Sequence, residues 1–297
     1  MNNKKLMTIG VVICLIAILA GATYEYQMKL DDPIFLKSYI ELPIIENSFN
    51  ELGIGINFIT NYGDDFKIVD LKPIHDDHEL DDAFQYSNID YEDFWRTILN
   101  DREPYNGRYK TNFERVLLNY DLSKYDGDIK FSKIKLDIAK PNEEVYSLTK
   151  DIGRIIYYKD EDNSETILKD SAGSGASGTS YMDKQIQNVS STFQTKDDVT
   201  IKGIESELLK DFEEYIDITI NGKDYREMID FKIGANYEFY IAMRGEFPRD
   251  INIGEMIISP RLVYEDSKGN VHKISISSMY MRAENEANKI VKELRGK

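Results

Sequence analysis

Hydrophobic residues crowd one end of the chain and alternate through most of the rest. Leu6–Tyr24 carries no charge, lies between Lys4-Lys5 and Glu25, and reaches about 28 Å as a helix at 1.5 Å per residue. That is enough to span the hydrocarbon of a bilayer. Tyr24 and Tyr26 fall where interfacial aromatics sit, and lysines before the run place the N-terminus in the cytoplasm and the body outside. Residues 1–5 are then a cytoplasmic stub and 6–24 a transmembrane signal-anchor. The competing reading is a signal peptide cleaved after residue 22, because Ala20-Gly21-Ala22 fits an A-x-A site. The full length of the uncharged run favours the anchor.

Beyond the run, the dominant period is two. Ile54, Ile56 and Phe58 alternate, then Asn61-Tyr62-Gly63-Asp64 turns, then Phe66 and Ile68 follow, which predicts a hairpin. Ile129 and Phe131 alternate, slip by one, and resume through Ile134, Leu136 and Ile138, which predicts a bulge. The stretch from Gly153 to Asp170 reads as a second hairpin turning in Asp160–Ser164. Ile216, Ile218 and Ile220 run into Asn221-Gly222, a strong two-residue turn signal. Tyr237, Phe239, Ile241 and Met243 alternate next, and 261–277 reads as a hairpin across Asp266–Asn270. Two helices interrupt this: one capped by Asp90 with Phe94, Trp95, Ile98 and Leu99 on a face, and one closing the chain through Ala283, Ala287, Ile290, Val291 and Leu294.

The expected fold class is mainly β (α+β): an N-terminal transmembrane helix, then an ectodomain of antiparallel β-sandwich character, immunoglobulin-like in its C-terminal part, with a few short helices. The expected parts are a mixed β ectodomain over 25–170, a Gly/Ser-rich flexible loop or linker over 171–194, an immunoglobulin-like β domain over 195–282, and an amphipathic helix over 283–297. The Cys and Trp core of true immunoglobulin domains is absent, so the likeness is of architecture.

Charge removes several functions. The 297 residues hold 37 Lys and Arg against 53 Asp and Glu, a net charge of −16, with no basic run, so nucleic acid is not an expected partner. The single cysteine, Cys14, sits inside the apolar run. That excludes an intrachain disulfide, a cysteine zinc site and thiol catalysis in the body.

The richest metal-ligand cluster is residues 74–82, IHDDHELDD. His75 and His78 at i, i+3 share a face if the segment is helical, and Asp81, Glu79 or Asp82 would complete a site for Zn²⁺ or Mn²⁺. The spacing is one short of H-E-x-x-H and lacks its Glu, and Pro73 and the polar run also suit a solvated loop. Asp160, Asp162 and Ser164 alternate like a calcium loop, but Glu165 stands where that loop requires Gly. Among 53 acidic residues no catalytic pair singles itself out. The 20 tyrosines, Tyr157-Tyr158 and Tyr237 with Tyr240 among them, supply strand residues and a possible platform for sugars.

SAGSGASGTS, residues 171–180, is uncharged and built from small residues throughout. It is not a phosphate loop, since Thr179 replaces the required Lys, and not a nucleophile elbow around Ser177, since Thr179 replaces the final Gly. It reads as Gly/Ser coil, either a tether or a hairpin excursion. The expected function is a non-enzymatic, membrane-anchored extracytoplasmic binding or assembly protein of a bacterial cell envelope, requiring no cofactor. Its expected partners are the membrane through the N-terminal helix and another envelope protein or a wall glycan. The alternatives are an envelope hydrolase using a metal or paired carboxylates, and a sensor coupled through its transmembrane helix, whose Gly10, Ala17, Ala20 and Gly21 permit close helix packing.

Overall fold

The computed structural model describes residues 3–44, 51–64, 66–75, 78–79, 84–87, 108–120, 128–140, 145–159, 166–180, 184–248, 253–282 and 287–295. The helix expected around Trp95, the turn at Asp160–Ser164, and Asp81 and Asp82 lie outside these residues.

The apolar run is helical from Asn3 to Met28 (α1). Its portion Ile9–Met28 is long and apolar enough to cross a membrane, and none of it is buried in the protein. Ile13, Ile16 and Leu19 are all at least 60% exposed, so the helix is apolar all round and needs a non-aqueous surrounding. Its C-terminal end is fastened to the body. Asn61 accepts the Leu30 N–H and donates to the Leu30 carbonyl, both at 2.8 Å. Tyr109 donates to the Met28 carbonyl at 2.5 Å, and Arg295 donates to the carbonyls of Gln27 and Lys29 at 3.0 Å.

The first half of the body contains β1 (Ile34–Phe35), β2 (Ser38–Ile44), β3 (Glu51–Asn61), β4 (Lys67–His75), β5 (His78–Glu79), β6 (Phe84–Ser87), β7 (Tyr109–Tyr120), β8 (Ile129–Ala139) and β9 (Val145–Lys159). The second half adds β10 (Ile167–Ser180), β11 (Lys184–Thr195), β12 (Val199–Glu205), β13 (Ile216–Ile220), β14 (Lys223–Asp224), β15 (Lys232–Ile233) and β16 (Glu238–Pro248). It ends with β17 (Glu255–Ile258), β18 (Arg261–Asp266), β19 (Val271–Ser275), β20 (Met279–Arg282) and the helix α2 (Ala287–Leu294).

These strands form four sheets, ordered β1-β3-β7-β6, β20-β17-β2-β9-β8-β4-β5, β10-β11-β16-β13-β14 and β15-β12-β18-β19. One core joins Ile54, Ile56 and Phe58 of the first sheet to Ile40, Leu136 and Ile155 of the seven-stranded sheet. A second joins Phe193, Ile241 and Met243 to Ile201, Leu262 and Tyr264, and reaches Ile156, Met256 and Ile258 on the other side of the seven-stranded sheet. That sheet is therefore buried on both faces, which explains the unbroken run Ile155-Ile156-Tyr157-Tyr158. In α2, Ala287, Ile290 and Val291 pack with Leu30, Leu36 and Ile59, while Leu294 is exposed and Ala283 lies outside the described residues.

The local expectations that hold are those a single strand or turn decides. Asn221 and Gly222 adopt φ of 51° and 77° and join β13 to β14. The β8 register shifts between Phe131 and Lys133, at the slip in its alternation. β18 and β19 pair across the Asp266–Asn270 turn.

Both other expected hairpins are corrected. β3 pairs with β1 and β7, so both its edges are taken and β4 crosses to the facing sheet. β9 lies between β2 and β8, while β10 pairs with β11 in another sheet. The layers are not purely antiparallel either, since β2 runs parallel to β9 and to β17.

The stretch expected as Gly/Ser coil is strand β10, held in register with β11 from Gly175–Ser190 to Ser180–Gln185. Pairing energy from β11 overrides the weak strand propensity of Gly and Ser. Sheet order also crosses this segment, because β17 and β20 return to the sheet of β2, β4, β8 and β9. A proteolytic nick between β10 and β11 is accordingly expected to leave one body on a native gel. Separation into two folded pieces would show instead that 171–194 tethers independent parts.

Candidate functional site

The period of two fixes which side chains of the five-stranded sheet face outward. Val189, Phe193, Ile218, Ile220, Phe239, Ile241 and Met243 point into the core, all 6% exposed or less. The intervening residues are small or polar and form rows through the strand register. Ser177, Asn188, Arg244 and Asp217 are consecutive cross-strand partners on four strands. Ser190, Ala242, Thr219 and Asp224 make the next row, and Thr192 pairs with Tyr240 beyond it.

Because Ser190, Ala242 and Thr219 are short, the middle of this face is hollow, a groove of roughly 680 Å³ bounded by Ser177, Asn188, Asp217, Asp224 and Arg244. Arg244 is turned along its own strand, its Nε donating to Glu246 at 3.0 Å. Asp224 accepts from the Arg226 N–H at 2.8 Å. Tyr240 stands at one end of the face, 46% exposed, with its backbone N–H held by the Asn221 side chain at 3.0 Å. The groove thus offers hydroxyls, one amide, carboxylates and a guanidinium, with an aromatic ring in the row beyond it. These groups hydrogen-bond and stack.

Nucleophilic chemistry has no support at Ser177. His272, the histidine whose side chain is described, lies on β19 in the facing sheet, bonded to Asp266 at 3.1 Å and stacked on Tyr264. Hydrogen bonds to Asp266 from Asn270 above all, then from His272 and the Lys268 N–H, hold that carboxyl far below its usual range. It is a turn-capping group, occupied locally.

His75 and His78 do not share a helical face. They are Cα partners across the β4–β5 hairpin, with Ile74 opposite Glu79. Asp81, the third residue of that candidate set, lies outside the described residues. No group of three or more metal-ligating side chains is gathered among the described residues. Of the tyrosines singled out by sequence, Tyr157 and Tyr158 are core residues, whereas Tyr237 and Tyr240 are exposed.

A second polar cluster, invisible in the sequence, lies between sheets. Glu41 on β2 is 2% exposed and accepts the N–H of Glu207 at 3.0 Å, that of Leu208 at 3.2 Å, and the Ser206 hydroxyl. Burial raises its pKa against these donors and Arg261, which lower it. Arg261 stacks 4.3 Å over the Tyr158 ring and donates to Glu205 at 2.7 Å. Burial pushes the Glu205 carboxyl up, but Lys273 and Arg261 outweigh it and hold it below its usual range. The carboxylates of Glu41 and Glu205 are both occupied by partners within the protein, so this cluster binds sheet to sheet, with only the buried Arg261 Nε lacking a hydrogen bond among them.

No protein-family model matches the sequence, and no curated protein resembles it. Among solved structures, the chain is similar to a protein of unknown function from Porphyromonas gingivalis W83 at 5% identity, covering 82% of this chain and 97% of that one, with a TM-score of 0.23. It is similar to the BSP domain of a biofilm-associated protein at 8% identity, covering 85% and 60%, TM-score 0.22. It is also similar to the C-terminal domain of the Streptococcus agalactiae AgI/II polypeptide BspA at 8% identity, covering 84% and 99%, TM-score 0.20. The chain is a mostly β body behind an apolar helix long enough to cross a membrane.

Proposed function

We propose that the chain is a membrane-anchored binding or assembly protein of a bacterial cell envelope, non-enzymatic, with its N-terminus in the cytoplasm and its body outside. The observation that carries this is the polar groove on the outward face of the five-stranded sheet, between Asn188, Asp217 and Arg244, with the exposed Tyr240 ring in the row beyond it. Uncharged hydroxyls and an amide beside an exposed ring suit a neutral wall glycan, while the net charge of −16 disfavours polyanions. Residues 195–282 enter this reading as immunoglobulin-like in layering only, with β12, β15, β18 and β19 facing β13, β14 and β16 across one core while β17 and β20 join the seven-stranded sheet.

The test is retention of the body on purified wall polysaccharide, compared with an Asn188→Ala, Tyr240→Ala double variant. Losing one hydrogen bond and one stacking contact is worth about 1.5 kcal/mol, so binding is expected to weaken roughly tenfold. No retention of the unaltered protein would remove the glycan and leave an envelope protein as the partner. Equal retention of the double variant would place binding elsewhere on the surface.

A further inference from the structure

The ends of the four sheets are unlike one another. Seven of the eight end strands among the described residues are short: β1, β5, β14 and β15 have two residues, β6 and β20 four, and β19 five. The eighth, β10, has fourteen. Short end strands, charged residues and proline are the usual means of preventing a sheet from accepting a further strand. β14 shows two of them at once, being only Lys223–Asp224, with both residues exposed. β10 has neither charge nor proline from Ser171 to Ser180, and Ser177, Gly178 and Thr179 are exposed. Its inner edge is paired with β11, irregularly between Asp170 and Gly175 and regularly from there to Ser180. β11 is the only strand among the described residues that it hydrogen-bonds.

We infer that the outer edge of β10 is a strand-addition surface whose occupant is the β10 edge of a second copy of this chain, the two sheets joining antiparallel about a twofold axis. The chemistry of an edge selects the class of partner, because only another extended backbone supplies N–H and C=O groups at the matching spacing. Charge then selects the second copy. Two bodies of net charge −16 repel, and a shared interface must avoid setting like charges opposite one another. An uncharged strand meeting itself does this, and an isologous pair requires the same surface on both partners. Small side chains on both strands place no steric barrier between them. Anchoring both copies in one membrane raises their effective concentration.

The test uses the full chain in detergent and in native membranes, with Ser177→Lys and Thr179→Lys combined to protect the edge. Both positions are exposed, so the variant is expected to keep the circular dichroism and melting of the single copy. The unaltered chain is expected to run at twice the single-copy mass, and the lysine pair to weaken self-association at least tenfold. In a Cys14→Ser background, Ser177→Cys or Thr179→Cys is expected to give disulfide-linked dimers in membranes. Three results would overturn the inference. One is an unaltered chain that is a single copy in both settings; another is a dimer that survives the folded lysine variant. The third is crosslinking from position 177 or 179 solely to a different protein.

Discussion

Replacing Glu41 with alanine is expected to cost about 3–5 kcal/mol of folding stability, the penalty for leaving three donors at a buried site without their acceptor. Glu41 stands on β2 of the seven-stranded sheet, and its three donors come from residues 206–208, just after β12 of another sheet. Ser206 in turn accepts the Leu209 N–H at 2.9 Å, and Leu208 is fully buried. Alanine would leave two backbone N–H groups and a hydroxyl without their acceptor in a place water does not reach. The midpoint of urea unfolding is the measurement, with an unchanged denaturant slope confirming a stability effect. Glu41→Gln keeps a carbonyl acceptor and should lose clearly less. Equal stability of the alanine variant and the unaltered protein would show that the cluster contributes nothing.

The same residue has a pH signature. Its pKa is raised above the usual 4.5, mainly by burial, so the folded state holds a proton that the unfolded chain has already released. Its contribution to stability therefore falls as pH rises from about 4.5 through the folded pKa, then levels off. Glu205 and Glu207 act in the opposite sense. Hydrogen bonding to Lys130 first of all holds the Glu207 carboxyl down, and Lys273 and Arg261 hold Glu205 down, so their stabilisation is lost as pH falls through the acid range. Both are more than a third exposed, which keeps their effect small. Stability measured against pH should lose the downward slope above pH 4.5 in Glu41→Gln, and an unchanged slope would assign it to another group.

Gly153→Ala is the second change expected to be severe, at about 3–5 kcal/mol from an unfavourable backbone angle and an overlap together. Gly153 has φ +99°, and an added Cβ would run into the Ser38 carbonyl oxygen and come within 2.9 Å of the Ser38 nitrogen. Both are backbone atoms of β2, so no side chain can swing aside. Ser38–Gly153 is the first pair of the parallel β2–β9 ladder, and β2 passes that register on to β17. Gly63→Ala supplies the control. Its φ is +89° but nothing lies within 4 Å of the added Cβ, so only the conformational cost of about 1–2 kcal/mol should appear. Thermal melting compares the two, and hydrogen exchange should quicken along β2 in Gly153→Ala alone. Similar losses in both variants would mean that the close approach to Ser38 has no weight.

Some of this protein is determined by the sequence itself. The uncharged run from Leu6 makes a helix whose every side is apolar, whatever the rest of the chain does. Alternation in 216–220 and 239–243 places strands and their inward faces, because one residue's side of a strand depends only on its neighbours. Asn221-Gly222 turns for an equally local reason, the tolerance of both residues for positive φ.

Only tertiary structure decided the partners. An alternating segment encodes which side is buried and says nothing of which strand lies beside it, so β3 and β9 look like halves of hairpins although both their edges are taken elsewhere. SAGSGASGTS has no alternation to read, and β11, beside it in space, makes it a strand. Glu41 meets Ser206 across 165 residues of chain, a distance at which no local pattern survives. The outward groove has the same origin. Asn188, Asp217, Thr219 and Ala242 are ordinary residues of an outward sheet face one by one, and together line the groove because strand register sets them in adjoining rows.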